Sequence, residues 1–235
     1  RDARRAGRAV ILFTGAHLVK NGLGPLVGDL VGRGLIDLVA TNAAGTIHDF
    51  ELALLGQTSE HVPNALPEGR FGMATEFQYI NAALAEADQR ELGYGEGLGR
   101  LLCDAAFRRA VETRLGLAEP IIFRHPEVSI LAVCFRRNVP LTVHAGIGTD
   151  VIDQHPNFDG RAKGGCSGRD FGIFTRKVLD LGDGGVFLNV GSAVTGPEVL
   201  LKAVSMAANV GRPPRGIITA NFDFKEYRRE AMGDE

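Results

Sequence analysis

The chain has 235 residues, of which 45% are apolar and 23% are charged, and its formal net charge is −2 at pH 7. These values exclude a disordered or fibrous protein and predict one globular domain spanning residues 1–235. The 26 basic residues are spread along the sequence, and the apolar runs fall far short of the roughly 20 residues that cross a bilayer, so neither nucleic acid nor a membrane is an expected partner.

Short apolar runs alternate with longer helical patterns along the chain. The first part predicts strands at 9–13 and 36–40, a helix between them at 24–34, and then a helical block at 50–55, 75–92, 97–115 and 127–137. The second part predicts strands at 141–144, 186–189 and 216–220, with helices at 168–181 and 197–209. This order predicts an α/β fold, in which a parallel sheet carries helices on both faces.

Small and hydrogen-bonding residues follow each predicted strand. The sequence reads TGAH at 14–17, TNAAG at 41–45, AGIGTD at 145–150, VGSA at 190–193 and NFD at 221–223. In an open parallel sheet, the ligand crevice lies beyond the carboxyl ends of the strands. Glycine and alanine let a ligand approach the backbone, and Thr, Asn, Ser and Asp form hydrogen bonds to ribose or amide groups. The five loops together predict a ligand site, although each alone is also typical of an ordinary turn.

No standard nucleotide-binding fingerprint is present. The P-loop pattern is absent, and the glycines at 93–99 lack the Rossmann spacing, so we predict that they break two helices. His144, Asp150, Asp153 and His155 surround one predicted strand end and are residue types that bind metals. A metal-dependent hydrolase of an amine or amidine therefore stays open as an alternative, as does a non-catalytic protein that binds a ligand.

Three isolated cysteines, Cys103, Cys134 and Cys166, predict neither a disulfide framework nor a paired metal site. Cys166 lies between glycine pairs, and we predict a small loop residue there rather than a nucleophile. The chain begins at Arg1 with no apolar segment behind it. We therefore expect no secretory signal, a natural N-terminus further upstream, and a cytoplasmic location.

Several strand-end motifs together resemble the deoxyhypusine synthase family. They are GAHLVKNG at 15–22, TNAAGTIHD at 41–49, NVP at 138–140 leading to GTD at 148–150, NVGSA at 189–193 and TANFD at 219–223. The sequence is similar to bacterial-type deoxyhypusine synthase-like proteins. This resemblance implies a Rossmann-like sheet, NAD bound at the strand ends, and a homotetramer with active sites between subunits. It also implies transfer of an aminobutyl group from spermidine or a related amine.

The resemblance also implies roles for individual residues. Cofactor contacts are expected at His17, Asn21, Thr41, Asn42, Ala43, Gly45, Asp150, Gly191, Ser192, Thr219, Ala220 and Asp223. Substrate contacts are expected at His48, Asp49 and Asp153, and no resident metal is expected.

The catalytic lysine of the family follows the last strand in a Trp-Gly-Lys setting. This chain has no tryptophan, and its only lysine after Lys202 is Lys225, which we take as the catalytic residue. A Schiff-base lysine needs a lowered pKa, and the charged run that follows Lys225 is expected to lie in solvent. We therefore predict that a lysine of a partner protein is not modified efficiently, and the acceptor of the transferred group stays open.

Overall fold

The computed structural model describes residues 1–223, and Lys225 lies outside them. The described residues form a five-stranded sheet, whose strands are all parallel and follow the order β3-β2-β1-β4-β5. The strands are β1 (Val10–Thr14), β2 (Leu38–Asn42), β3 (Leu141–His144), β4 (Val186–Val190) and β5 (Ile218–Phe222). This order is that of a Rossmann-like sheet, which confirms the predicted fold class.

Helices cover both faces of the sheet. They are α1 (Asp2–Arg5), α2 (Ala16–Lys20), α3 (Gly24–Gly32), α4 (Ala43–Leu55), α5 (Val62–Ala65), α6 (Thr75–Gln89), α7 (Tyr94–Cys103), α8 (Ala105–Leu115), α9 (Ile130–Arg136), α10 (Gly160–Val178) and α11 (Thr195–Asn209). Two 3-10 turns, Pro126–Val128 and Val151–Gln154, complete the described elements. No helix within residues 1–223 is long and apolar enough to cross a membrane.

The apolar strands divide their side chains between two cores. In β1, Val10 and Leu12 join a large core with helices α2 to α4 and α6 to α9, whereas Ile11 and Phe13 join a smaller core with α10 and α11. Successive residues of a strand point to opposite faces of the sheet, so a strand that is buried on both sides is a continuous apolar run. The short runs of the sequence therefore predict the sheet well.

Two side chains of α10 replace the missing neighbour of the edge strand β3. The Asp170 carboxylate accepts hydrogen bonds from the backbone N–H of Val143 (2.7 Å) and of Gly95 (3.0 Å). The Ser167 hydroxyl donates to the carbonyl of Val143 (2.8 Å) and accepts from the N–H of Ala145 (3.1 Å). This edge is thus closed against pairing with another strand.

Helix α10 begins at Gly160, eight residues before the predicted start, because Asp159 caps it by accepting from the N–H groups of Arg161 and Ala162. The prediction that Cys166 is a loop residue is therefore wrong. Cys166 is buried in the helix, and its thiol contacts the carbonyl of Leu84 at 3.5 Å.

The glycines at 93–99 separate two helices only at Gly93, which is the N-cap of α7 after α6 ends at Gln89. Gly95, Gly97 and Gly99 lie inside α7, where glycine permits close packing: a Cβ on Gly95 would lie 1.8 Å from the carbonyl oxygen of Leu141. A second break, which was not predicted, comes at Asp104, whose carboxylate accepts from the N–H groups of Ala106 and Phe107 in α8.

Strand register places five chain segments at one edge of the sheet. Pairing aligns Val143, Thr41, Thr14, Val190 and Phe222 in a single row across the five strands. Since all five strands run in the same direction, the loops that follow this row emerge side by side. We call this edge the strand-end edge.

Candidate functional site

The order of the strands reverses between β1 and β4. The chain places β2 and β3 on one side of β1 and then crosses over to place β4 and β5 on the other side. Here the loops after β1 and β4 meet backbone to backbone. The N–H of Gly15 donates to the carbonyl of Val190 (2.8 Å), and a Cβ on Gly15 would lie only 1.8 Å from the carbonyl oxygen of Gly191. Switch points of this kind are where open α/β sheets bind their ligands.

The loop after β2 forms the N-terminus of α4. The Thr41 hydroxyl donates to the carbonyl of Thr14 (3.0 Å), and the Asn42 side chain caps the helix by accepting from the N–H of Gly45 (2.9 Å). Gly45 has no room for a side chain, because a Cβ would lie 2.2 Å from the Thr41 hydroxyl oxygen. The structure therefore brings together four of the predicted cofactor residues, which are Thr41, Asn42, Ala43 and Gly45.

The loops after β4 and β5 are linked through Asn189. Its amide nitrogen donates to the carbonyl of Ser192 (2.8 Å) and to the side-chain oxygen of Asn221 (2.6 Å). The Ser192 hydroxyl accepts from the N–H of Gly196 at 2.9 Å. The buried side-chain oxygen of Asn189 has no hydrogen-bond partner in the described part of the chain. Asn189 belongs to a quoted motif but was not predicted as a site residue.

The other predicted cofactor residues lie at different distances from the switch point. Gly191 and Asp223 follow the row directly, and exposed His17 and Asn21 flank it on α2 and at the end of that helix. Thr219 and Ala220 lie inside β5, where Thr219 pairs with Phe187. The structure therefore does not bring these two β5 residues to the strand-end edge itself.

Asp49 lies in the core, apart from the strand-end edge. Its carboxylate accepts from the hydroxyl of Ser129 (2.5 Å) and from the N–H groups of Ile130 (2.7 Å) and Leu131 (3.2 Å). These donors form the N-terminus of α9, which stabilises a negative charge. Burial nonetheless dominates and raises the pKa of Asp49 to about 6. The structure gives this predicted substrate residue a set of internal partners.

We expect Asp49→Ala to lower the free energy of unfolding by about 2–4 kcal/mol, because three buried donors at the start of α9 would lose their acceptor. Urea denaturation monitored by circular dichroism measures this loss. Asp29→Ala is a matched control, since Asp29 forms only an exposed ion pair with Arg33 and should change stability by less than about 1 kcal/mol. Equal stability of the two variants would contradict the internal role of Asp49.

His48 faces a group of carboxylates on the outer side of α4. Its Nδ1 lies 2.7 Å from the hydroxyl of Thr58, which in turn donates to the buried carboxylate of Glu51. Burial, followed by the neighbouring charges of Glu51 and Glu60, raises the pKa of Glu76 in the same group. His48 therefore lies with acidic residues that sequence reasoning missed, and not with Asp49, which points towards α9.

The loop after β3 contains a buried ion-pair cluster. Lys163, whose side chain is 0% exposed, places its ammonium group 2.8 Å from Asp150 and in direct contact with Asp153. The two predicted site carboxylates are thus brought together, and their partner is a residue that the sequence analysis missed. Asp150 is not a side-chain helix cap, because it accepts from the N–H of Gly146 at 3.0 Å.

The four residues of the alternative metal cluster do not converge. His144 is packed against the rings of Phe13 (5.5 Å) and Phe174 (5.2 Å), and burial lowers its pKa to about 4. His155 pairs with Asn157 at 2.6 Å. Within residues 1–223, no three side chains of the types that bind metals are grouped around one point.

The strand-end edge is exposed in part, at residues such as His17, Asn21 and Gly191. The cavity that touches Thr14, Thr41 and Gly45 is a gap of about 10 Å³ in the core, beside Val39 and Asp49, and is too small to hold a ligand. A larger cavity of about 410 Å³ lies elsewhere, beside Arg4 and Asp37 near the amino ends of the strands. Neither cavity is a dinucleotide pocket at the strand-end edge.

Comparison with known proteins adds no family. No family model matches the sequence, and no curated protein matches it. Solved structures with a similar fold include a conserved protein assigned to the LOR/SDH type from Methanococcus maripaludis S2, with 16% identity, a TM-score of 0.48, and coverage of 94% of this chain and 52% of that one.

Two further solved structures resemble the chain at a similar level. One is ArgZ, an arginine dihydrolase from Cyanobacteria (16% identity, TM-score 0.47, 93% of this chain and 24% of that one). The other is a protein assigned as a deoxyhypusine synthase from Entamoeba histolytica (10% identity, TM-score 0.44, 88% and 77%). The chain thus spans about half of the LOR/SDH protein and about a quarter of ArgZ. Similarity at this level says nothing about cofactor or substrate, and the fold class rests on the strand order.

Proposed function

We propose that the protein is an NAD-dependent transferase of the deoxyhypusine synthase type, which moves an aminobutyl group from spermidine or a related amine. One observation carries this proposal: loops rich in small residues meet at the switch point of a Rossmann-like sheet, with the backbones of Gly15 and Gly191 in contact. The quoted motifs of the sequence coincide with these loops. A backbone without side chains can approach a dinucleotide closely, which supports NAD as the ligand.

In this proposal, the N-terminus of α4 and the loop after β4 hold the cofactor. The helix spans 13 residues, so the partial positive charge at its first turn favours a phosphate group. On the other side of the switch point, the hydroxyl of Ser192 offers a polar contact, and the buried amide oxygen of Asn189 has no hydrogen-bond partner within residues 1–223. Bound NAD would accept a hydride from the carbon beside the amine nitrogen, and these loops would orient the cofactor for that transfer.

The partly exposed strand-end edge supports the further proposal that subunits assemble so that one covers the site of another. His17, Asn21 and Gly191 are exposed there, and an enclosed pocket is needed for hydride transfer away from water. We propose a homotetramer with sites between subunits, as the family resemblance implies. Size-exclusion chromatography with light scattering tests the assembly separately from cofactor binding.

Titration with NAD tests the cofactor. We expect binding heat in calorimetry and a rise in melting temperature at millimolar NAD, because a ligand that binds only the folded state stabilises it. Ser192→Ala should weaken NAD binding by ~10-fold, equivalent to about 1.4 kcal/mol, through loss of a polar contact. Arg8→Ala, at the amino end of the sheet, is the matched control and should leave binding unchanged. Absence of both heat and stabilisation in the unmodified protein would exclude the NAD proposal.

Formation of NADH on addition of spermidine tests the reaction. We expect NADH fluorescence to rise with spermidine and not with a quaternary amine of similar length, because hydride loss must leave an imine on a nitrogen that can lose a proton. NAD binding without NADH formation would favour the alternative of a non-catalytic protein that keeps the cofactor site.

A further inference from the structure

A cavity of about 390 Å³ lies at the edge of the sheet, beside the first residue of β3. Its walls come from α7, α9 and α10, and from the turn that leads into β3. Pockets that hold small molecules have volumes of about 300–1,000 Å³, so this cavity has the size of a binding site. It is separate from the strand-end edge, which lies at the other end of β3.

Most of the cavity wall is apolar. Leu131, Cys134 and Leu141 line the cavity and are buried. Phe135 is half-buried, and Ile173, which is 38% exposed, lies at the mouth. Such a wall favours a ligand with a hydrocarbon ring, because moving apolar surface out of water lowers the free energy.

Asp170 also lines the cavity, and the chain gives it no counter-charge. This carboxylate is buried, and its donors in residues 1–223 are backbone N–H groups such as those of Gly95 and Val143, which carry no charge. The charged side chain that acts on it is Glu96, which is also negative. A buried carboxylate without a cation beside it is unfavourable, so the cavity holds a negative charge that a ligand can balance.

Arg100 is the cation among the residues that line the cavity, and it is already paired. Its guanidinium donates to the carboxylate of Glu96 through Nε (2.9 Å) and Nη2 (2.7 Å), and its Nη1 lies 3.6 Å from Asp104. The same guanidinium lies over the ring of Phe135, 5.8 Å from its centre. With Asp170 ionised, the lining residues carry two negative charges and one positive charge, which disfavours an anion as ligand.

We propose that this cavity binds a flat, ring-bearing organic cation, whose charged group faces Asp170 and whose ring packs against Leu131, Cys134 and Leu141. The ligand supplies the counter-charge that the chain does not provide, and the apolar wall selects for the ring. A flexible polyamine has no such ring and gains little from this wall. The site therefore does not rest on the proposed function, and its ligand is not the proposed substrate.

Three probes of one shape test the ligand class without any cofactor. Benzamidinium, benzamide and benzoate share a ring and have nearly the same size, but they carry a positive charge, no charge and a negative charge. We expect benzamidinium to bind with a dissociation constant of about 1 mM or tighter. Benzamide should bind more weakly, and benzoate at least ~10-fold more weakly than benzamidinium. Calorimetry measures all three.

Two tryptophan substitutions locate the site. Ile173→Trp places a larger side chain at the mouth of the cavity, and it should weaken benzamidinium binding by at least ~10-fold. Leu201→Trp is the matched control, since Leu201 lies on α11, is 64% exposed and does not line the cavity. It should leave the binding unchanged. Both positions are partly exposed, so both variants are expected to fold.

Asp170→Asn tests the source of the charge preference. Asparagine keeps an oxygen but carries no charge, so this variant should bind benzamidinium and benzamide about equally. Burial raises the pKa of Asp170 to about 7, with the charge of Glu96 acting in the same direction. In the unmodified protein, affinity for benzamidinium should therefore rise between pH 5 and 7 by up to ~10-fold per pH unit. The other charged groups that line the cavity, Glu96 and Arg100, are common to both proteins, so a flat profile in Asp170→Asn assigns this rise to Asp170.

The outcomes decide the proposal in either direction. Equal binding of the three probes, or no binding of benzamidinium at millimolar concentration, overturns it. Equal affinity of Ile173→Trp and Leu201→Trp for benzamidinium also overturns it, and this comparison decides the matter if Asp170→Asn does not fold. Competition by spermidine at equal concentration would make the cavity a polyamine site and contradict the ring selectivity. Since no probe requires NAD, a failure of NAD binding is distinguishable from a failure of this site.

Discussion

Gly15→Ala is expected to lower the free energy of unfolding by about 3 kcal/mol or more and to abolish binding at the switch point. The reason is steric and not conformational, since Gly15 has φ −80° and ψ 166°, which any residue adopts. An added Cβ would lie 1.8 Å from the oxygen and 2.6 Å from the carbon of the Gly191 carbonyl. Because both are backbone atoms, no side-chain rotation relieves the clash.

The loops on both sides of Gly15 are also unable to separate freely. The N–H of Gly15 donates to Val190, and the N–H of Gly191 donates to Phe222, each at 2.8 Å. A shift that relieves the clash therefore breaks hydrogen bonds between β1, β4 and β5. Guanidinium denaturation measures the stability, and calorimetry with NAD measures the binding.

The matched control is Gly164→Ala, in the middle of α10. A Cβ there meets no atom within 4 Å, and alanine is favoured over glycine in helix interiors by about 1 kcal/mol. We therefore expect Gly164→Ala to gain stability while Gly15→Ala loses it. If Gly15→Ala melts within 1–2 °C of the unmodified protein, the close contact of the two loops is not a feature of the molecule in solution.

The sheet was predictable from sequence because its strands are buried on both faces. The strand at 141–144 was predicted with the bounds observed for β3, and the others were displaced by two residues or fewer. The start of α10 was not predictable by the same means. Gly160, Gly164, Gly165 and Gly168 have low helix propensity, and beyond the Asp159 cap what holds them helical is tertiary: the bonds of Ser167 and Asp170 to the edge of β3.

The candidate site was predictable as a set of loops but not as a set of contacts. The polar residues after each strand located the strand-end edge. They did not separate turns from ligand contacts, because both use the same residue types. Sequence spacing does not say which way a side chain points. Asp49 and His48 are neighbours in the chain, yet about 100° separates them around a helix, and they face α9 and Thr58 respectively.

Lys163 was missed because nothing in its local sequence pairs it with Asp150 and Asp153. A lysine in an amphipathic helix is usually exposed at its charged end, and the fully buried state of this one depends on a loop ten residues and more away. A weak signal did exist. Lys163 lies between Ala162 and Cys166 on the buried face of α10. A lysine at such a position indicates a buried cation that needs an acidic partner.

Asp170→Ala is expected to destabilise the protein by about 2–5 kcal/mol, and Asp170→Asn to change how stability depends on pH. Removing the carboxylate leaves the N–H groups of Val143 and Gly95 without an acceptor at the buried edge of β3. The asparagine side chain keeps one oxygen for these donors but carries no charge. The two substitutions therefore separate the hydrogen-bonding role of Asp170 from its ionisation.

Burial raises the pKa of Asp170 from 3.8 to about 7 in the folded protein. Between these pH values the folded state holds a proton that the unfolded state has released, so the contribution of Asp170 to stability is complete below about pH 4 and is lost as pH rises through 7. Asp49, with its pKa raised to about 6, acts in the same direction. His144, with its pKa lowered to about 4, acts in the opposite direction below about pH 6.5.

The difference between the unmodified protein and Asp170→Asn isolates Asp170 from the other two groups. We expect the stability advantage of the unmodified protein to be largest at or below about pH 4 and to shrink towards pH 8, by up to 1.36 kcal/mol per pH unit. The change should be steepest near pH 5 to 6, where the unfolded state has released the proton of Asp170 and the folded state still holds it, and it should flatten above pH 7. Urea denaturation at intervals of half a pH unit measures both curves. Parallel curves from pH 5 to 8 would show that Asp170 is already ionised at pH 5, and would mean that its hydrogen bonds to β3 and α7 outweigh its burial.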